Sequence, residues 1–249
     1  MNESVWPDNR LKHGAPAVRP VSCADSSGQS PDAKGTKVRN LIELALPRKF
    51  YARDPVSVGR ELLGKVLVRR EGRRIHAGRI IEVEAYLGER DLAAHSAAGR
   101  TLRNAVLFGP PGHAYVYFIY GNYYCLNISC EPEGRAGCVL IRALEPLVGI
   151  EEMARARGVP LKEIYDVREL KTLTSGPGRL AQALGITRSR DNGADLTDRK
   201  SGLWVASDEF SIERIVATSR IGITKSAELP LRFVIAGNPF VSGNKSVNS

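Results

Sequence analysis

Little in this chain offers a quick assignment. Its four cysteines, Cys23, Cys125, Cys130 and Cys138, form no C-x-x-C pair, and its four histidines complete no zinc pattern. No metal site is therefore expected. Free, partly buried thiols suit a reducing compartment, which points to the cytoplasm or the nucleus. No apolar run approaches the ~20 residues of a membrane helix, and the N-terminus lacks the apolar segment of a secretory signal, so no membrane partner is expected. Acidic residues are also scarce: 27 Asp and Glu face 36 Lys and Arg, a net charge of +9. Residues 1–40 hold six basic and four acidic residues, so most of the excess belongs to residues 41–249. A basic folded part favours an anionic partner, of which nucleic acid is the commonest large one, although a generic basic surface has the same composition.

Periodicity is missing from residues 1–40, which are rich in Pro, Ser and Gly and read as a disordered leader. Folded sequence is expected from about Leu41, giving one domain over residues 41–249. Asp54 caps a short helix that starts at Pro55, with Leu62 and Leu63 facing the core and Gly64 ending it. Strands are expected at 65–70 and 74–86, joined through Glu71-Gly72, and a long polar connection covers 87–112. Residues 113–120 and 123–129 read as a hairpin closed by a two-residue Gly121-Asn122 turn. Further strands are expected at 138–144, 203–206, 212–218 and 231–236, and helices at 149–157, 163–172 and 179–184. The outcome is a mixed α+β domain: a curved, largely antiparallel sheet with flanking helices and a protruding hairpin.

The strand at 79–86 stands out. Side chains alternate across a strand, so Ile80, Glu82, Glu84 and Tyr86 share one face. Two carboxylates beside an aromatic ring, with His95 soon after, suit acid–base chemistry on a flat ring. A solvated face with two exposed glutamates satisfies the same pattern. In the hairpin, Tyr115 and Tyr117 share one face, while Tyr120 sits at the tip, where a ring can protrude and wedge into stacked bases; tyrosines used as plain strand formers also fit. Asn127 and Arg142 are polar residues inside apolar strands and need partners if buried. Ser175-Gly-Pro-Gly178-Arg179 opens a helix whose N–H groups and Arg179 suit a phosphate, although an ordinary capped helix start fits the same residues at least as well. Arg79, Arg100 and Arg103 are further candidates for backbone phosphates.

Eight stretches in order give a sharper indication: GRIIEVEAYLG (78–88), AAHS (93–96), GR-TLRN (99–104), FGPPGHAYVYFIYG (108–121), CLNIS (125–129), CVLIRALEP (138–146), SGPGRLAQALGI (175–186) and LPLRFVIAGNPFVS (229–242). Together they span about residues 47–242 and resemble the alkyladenine (3-methyladenine) DNA glycosylase family. The resemblance implies a monofunctional base-excision repair enzyme. Such an enzyme flips alkylated or deaminated purines out of duplex DNA and hydrolyses the N-glycosidic bond, leaving an abasic site. Glu84 matches the base that activates water, and Arg142 a residue that holds this glutamate and water. Tyr86, His95 and Tyr117 match the walls of the base pocket, Asn127 its floor, and Tyr120 the wedge that fills the gap in the duplex. Glu82 is left as a structural or surface residue. No cofactor is implied. The expected partner is damaged double-stranded DNA, met by a monomer on the nucleoid of a bacterium or in a eukaryotic nucleus. Three positions depart from the family pattern: Leu102 replaces a common proline, Asn122 beside the wedge replaces a frequent Met, and Phe240 replaces Trp. A catalytically idle damage-binding module on the same fold and an RNA-acting relative are the alternatives, and Glu84 and Tyr120 respectively argue against them.

Overall fold

A computed structural model describes residues 44–119, 121–162, 166–208 and 210–243. The expected leader, residues 1–40, and Tyr120 lie outside the described residues. Within them, the fold is α+β, built on an eight-stranded antiparallel sheet with several helices.

The strands are β1 (Val66–Glu71), β2 (Arg74–Tyr86), β3 (Ala114–Ile119), β4 (Tyr123–Ser129), β5 (Cys138–Val148), β6 (Leu203–Ala206), β7 (Ile215–Thr218) and β8 (Arg232–Ile235). They run in the order β3-β4-β5-β2-β1-β6, with β8 pairing with β2 and β7. Strand β2 organises this arrangement. Of its 13 residues, the stretch from Ala77 to Tyr86 pairs with β5 along one edge. Along the other edge, β1 takes Arg74 to Arg79 and β8 takes Glu82 to Glu84. Ile80, Ile81, Val83 and Ala85 are all fully buried, as are Glu82 and Glu84, so both faces of β2 are covered and the solvated-face reading of this strand is excluded.

The helices are α1 (Arg48–Tyr51), α2 (Pro55–Leu62), α3 (Ile150–Arg157), α4 (Val167–Thr174), α5 (Pro177–Ala183) and α6 (Arg188–Asp191). Asp54 caps α2 by accepting the Ser57 N–H, and Leu62 and Leu63 are buried as the sequence requires. Helix α4 starts later than expected because Asp166 and Glu169 form a reciprocal capping box; residues 163–165 lie outside the described residues. Strand β7 is shorter than the expected 212–218. The short helices α1 and α6 carry too few periodic positions to be read from sequence. Side chains of α2 (Val58, Leu62), β2, β5 (Ile141, Leu144) and α5 (Leu180, Ala181) share one apolar core.

The hairpin departs from its sequence reading. Ile119 pairs with Tyr123, so the connection is one residue longer than a two-residue turn. Gly121 takes a φ of 72°, a conformation glycine adopts without steric cost. Helix α5 abuts the turn end of the hairpin closely: a Cβ at Gly178 would lie 2.8 Å from the Tyr123 side chain.

Gly149 turns β5 into α3 with a φ of 75°, and a Cβ there would stand 2.7 Å from His76 Cδ2 and 2.9 Å from the Ile75 carbonyl oxygen. We expect Gly149→Ala to destabilise the fold by about 2 kcal/mol or more, since the left-handed conformation alone costs ~1–2 kcal/mol. Thermal melting measures it, and an unchanged Tm would show that the turn relaxes freely.

Candidate active site

Between Ile80 and Val83 the pairing of β2 with β5 slips twice. Extra residues of this kind bend a strand and re-aim its side chains. Glu82 within the irregularity and Glu84 just beyond it both meet Arg142, which projects from β5.

Glu84 has a full set of partners. Its Oε1 accepts the Ile221 N–H at 2.7 Å and lies 3.1 Å from Arg142 Nη1. Its Oε2 accepts the Tyr86 hydroxyl at 3.0 Å. Burial, and after it the charge of Glu84, push the Tyr86 phenol far up, so it stays a neutral donor. Three of the groups around this carboxylate, Tyr86, Arg142 and Ile221, line a cavity of about 420 Å³. Glu84 sits directly behind that wall, fully buried.

Glu82 is held still more tightly, which fits the structural and not the surface alternative for it. Its Oε1 accepts from Arg142 Nε (2.9 Å), Arg232 Nε (2.7 Å) and Ser242 Oγ (2.8 Å), and its Oε2 from Ser242 N–H (2.6 Å). Two buried carboxylates thus face two buried guanidiniums, which satisfies the rule that interior charge must be paired.

The cavity walls are aromatic. Tyr117 and His95 meet edge to face with centroids 4.4 Å apart, and Tyr115 donates to or accepts from His95 Nδ1 at 3.0 Å. His95 stays open to solvent at the cavity, yet its packing against the tyrosine rings, helped by the Arg103 charge, lowers its pKa, so the imidazole is neutral at pH 7. Burial likewise raises the Tyr117 phenol and lifts the Cys125 thiol to about 11, so both line the cavity uncharged. Asn127 is buried at the bottom: its Nδ2 donates to the Tyr115 carbonyl at 3.4 Å, and its Oδ1 faces Cys138 Sγ at 3.8 Å. A flat apolar solute could stack here, with few polar groups to orient it.

Tyr86, His95, Tyr117, Asn127 and Arg142 therefore line one cavity with Glu84 behind it. Arg103 lies on the rim, its guanidinium 5.9 Å from the Tyr117 ring centre. Arg100 and Arg179 are exposed, as is Asn122 in the hairpin turn. Arg79 is committed elsewhere: it pairs with Glu145 (3.3 Å) and Asp208 (2.8 Å) and stacks on Phe210, which corrects its reading as a free phosphate contact. Leu102, in the Gly99–Asn104 turn beside the rim, is fully exposed.

Sequence reasoning missed the second layer. Arg220 and Asp91 form a fully buried ion pair in which Arg220 Nη2 donates to Asp91 Oδ1 at 2.9 Å. Arg220 also caps the Ala85 carbonyl (3.0 Å) and lies 4.6 Å from the Tyr86 ring centre, fixing that ring from behind. Arg232 alone left a trace, as a lone charge in an apolar strand like that of Arg142. Among the described residues, no group of three or more His, Cys, Asp or Glu could hold a metal, and no helix is long and apolar enough to cross a membrane.

Comparison with known proteins gives a consistent picture. The family model described as Methylpurine-DNA glycosylase (MPG) matches residues 49–239. A Koribacter versatilis protein with the provisional name 3-methyladenine DNA glycosylase is 61% identical over 207 residues, covering 83% of this chain and 97% of the relative. Proteins of the same provisional name are 50% identical in Methanoculleus marisnigri and 46% identical in Alkaliphilus oremlandii, each over 80% of this chain and 99% of the relative.

Proposed function

Because this chain belongs to the methylpurine-DNA glycosylase family, whose members hydrolyse N-glycosyl bonds, we propose that it excises damaged purines from duplex DNA with water activated by Glu84. The observation that carries this reading is the carboxylate of Glu84, held by Arg142, Tyr86 and the Ile221 N–H at the back of an aromatic cavity.

A purine flipped out of the stack enters the cavity and stacks on Tyr117, with Tyr86 and His95 closing around it. Alkylation at a ring nitrogen makes the base cationic and a good leaving group. A cation over an electron-rich ring gains about 0.5–2 kcal/mol, so the site discriminates before the chemistry begins. Arg142 and Glu84 orient a water toward the sugar C1′, and Glu84 takes its proton as the bond to the base breaks. Asn127 presents an amide at the floor that disfavours the exocyclic amino group of normal guanine. Tyr120, with Asn122 beside it, fills the gap left in the duplex. Since no amine of the protein attacks, the product is an abasic site on an intact strand.

Free-base release from duplexes holding one 3-methyladenine, hypoxanthine or ethenoadenine tests the proposal. Release of at least one, with the strand uncut, is expected. Tight binding of these duplexes without release from any would make the chain a damage-binding module, and release only from RNA would overturn the DNA assignment.

The basic rim supplies sequence-independent affinity. Arg100→Gln and Arg103→Gln should each reduce the slope of log K against log[salt] by about 1. Arg79→Gln should leave it unchanged, because Glu145 and Asp208 already neutralise that charge. Equal reductions in all three would show that Arg79 releases its partners on DNA.

A further inference from the structure

We propose that Glu82 is a positioning residue for the hydrolysis: it fixes the direction in which Arg142 presents its guanidinium to Glu84 and the water. This inference rests on the assignment of Glu84 as the base.

The geometry divides Arg142 between two carboxylates. Its Nε donates to Glu82 at 2.9 Å, while its Nη1 lies 3.1 Å from Glu84 Oε1. A guanidinium is planar and rigid, so fixing Nε fixes the plane in which the terminal nitrogens lie. Glu82 is itself immobilised from two other directions, by Arg232 Nε on β8 and by the Oγ and N–H of Ser242. Arg232 Nη2 donates in turn to the Ser242 carbonyl at 2.8 Å, which closes the ring of contacts. The segment from Arg232 to Ser242 therefore reaches the reacting centre through Glu82 without lining the cavity. A residue kept only to hold the sheet together does not need four donors on one carboxylate with one of them shared with the base.

Charge points the same way. Glu84 faces Arg142 from β5, Arg232 opposite it on β8, Arg220 from the loop after β7, Tyr86 on its own strand and Cys125 from β4. With Glu82 ionised, Arg142 and Arg232 are balanced by two carboxylates. Neutralising Glu82 removes one of these two carboxylates and weakens the acceptor that fixes Arg142 Nε, so the guanidinium that Glu84 shares loses its orientation.

The test is single-turnover base release against pH by Glu82→Gln, on a duplex holding one damaged purine that the wild type processes, alongside lesion-duplex binding. We expect binding to persist and the rate to fall by about 10–100-fold across the profile, as misplacement of a catalytic group on the order of 1 Å does. Glu82→Asp, which restores the charge and the acceptor, should recover part of the lost rate. Should Glu82→Gln fail to fold, Ser242→Ala removes one donor from Glu82 and should slow release with binding intact. Wild-type rate and profile in a folded Glu82→Gln, or wild-type release by Ser242→Ala in its place, would overturn the inference. Glu84→Gln separates the two levels: if it stays active, the assignment of the base has failed; if it is inactive while Glu82→Gln is normal, only the positioning role has.

Discussion

Glu84→Gln should bind lesion-bearing duplex about as well as the wild type and release the base about 100–10,000-fold more slowly, the range that a positioned general base contributes. The substitution is near-isosteric. A glutamine oxygen can still accept from the Ile221 N–H or the Tyr86 hydroxyl, so the cavity wall should keep its shape. What is lost is the proton acceptor. Arg142 keeps a counter-charge in Glu82, which limits the damage to stability. Single-turnover release at saturating enzyme, with binding measured on the same duplex, separates the two effects. Wild-type release by this variant would remove Glu84 from the mechanism.

Asp91→Asn should be among the most destabilising conservative substitutions in the chain, costing about 3–5 kcal/mol, because it leaves the buried Arg220 without its counter-charge. Asp91 accepts from Arg220 and from the N–H groups of Leu87 (3.2 Å) and Ala93 (3.0 Å). Burial opposes its ionisation, but these hydrogen bonds outweigh burial and hold the carboxyl below the usual carboxylate range. A depressed native pKa means stability that is present above the unfolded value, near ~3.9, and lost as pH falls through the native one. The deficit of Asp91→Asn relative to the wild type should therefore be full at neutral pH and shrink below about pH 4. Denaturant titrations at several pH values measure it. A deficit independent of pH would place the cost in packing and not in charge. Because Arg220 backs the Tyr86 ring, folded variants should also bind lesion duplex less tightly.

Much of the site was legible from sequence because its side chains recur on regular elements. Glu84 and Tyr86 alternate on one strand, Tyr115 and Tyr117 on another, and Asn127 and Arg142 interrupt apolar runs. What was not legible comes from chain segments that meet only in the fold. Arg220 stands 129 residues from Asp91, and Ser242 stands 160 from Glu82. The Ile221 donor to Glu84 is a backbone N–H, which leaves no mark in a residue alphabet. Periodicity presents Glu82 and Glu84 as an equivalent pair, because it does not register Arg232 and Ser242, the partners that occupy Glu82 alone. Arg79 looked like a free cation because its partners, Glu145 and Asp208, lie 66 and 129 residues away.

The central claim is that a damaged purine occupies the aromatic cavity with its sugar turned toward Glu84. A crystal structure of Glu84→Gln bound to a duplex with a single ethenoadenine measures this directly. The account predicts the base in the cavity against Tyr117 and His95, its amide neighbour Asn127 beneath it, and C1′ facing residue 84. A base still stacked in the duplex, or one in the cavity with C1′ turned away from residue 84, would contradict it.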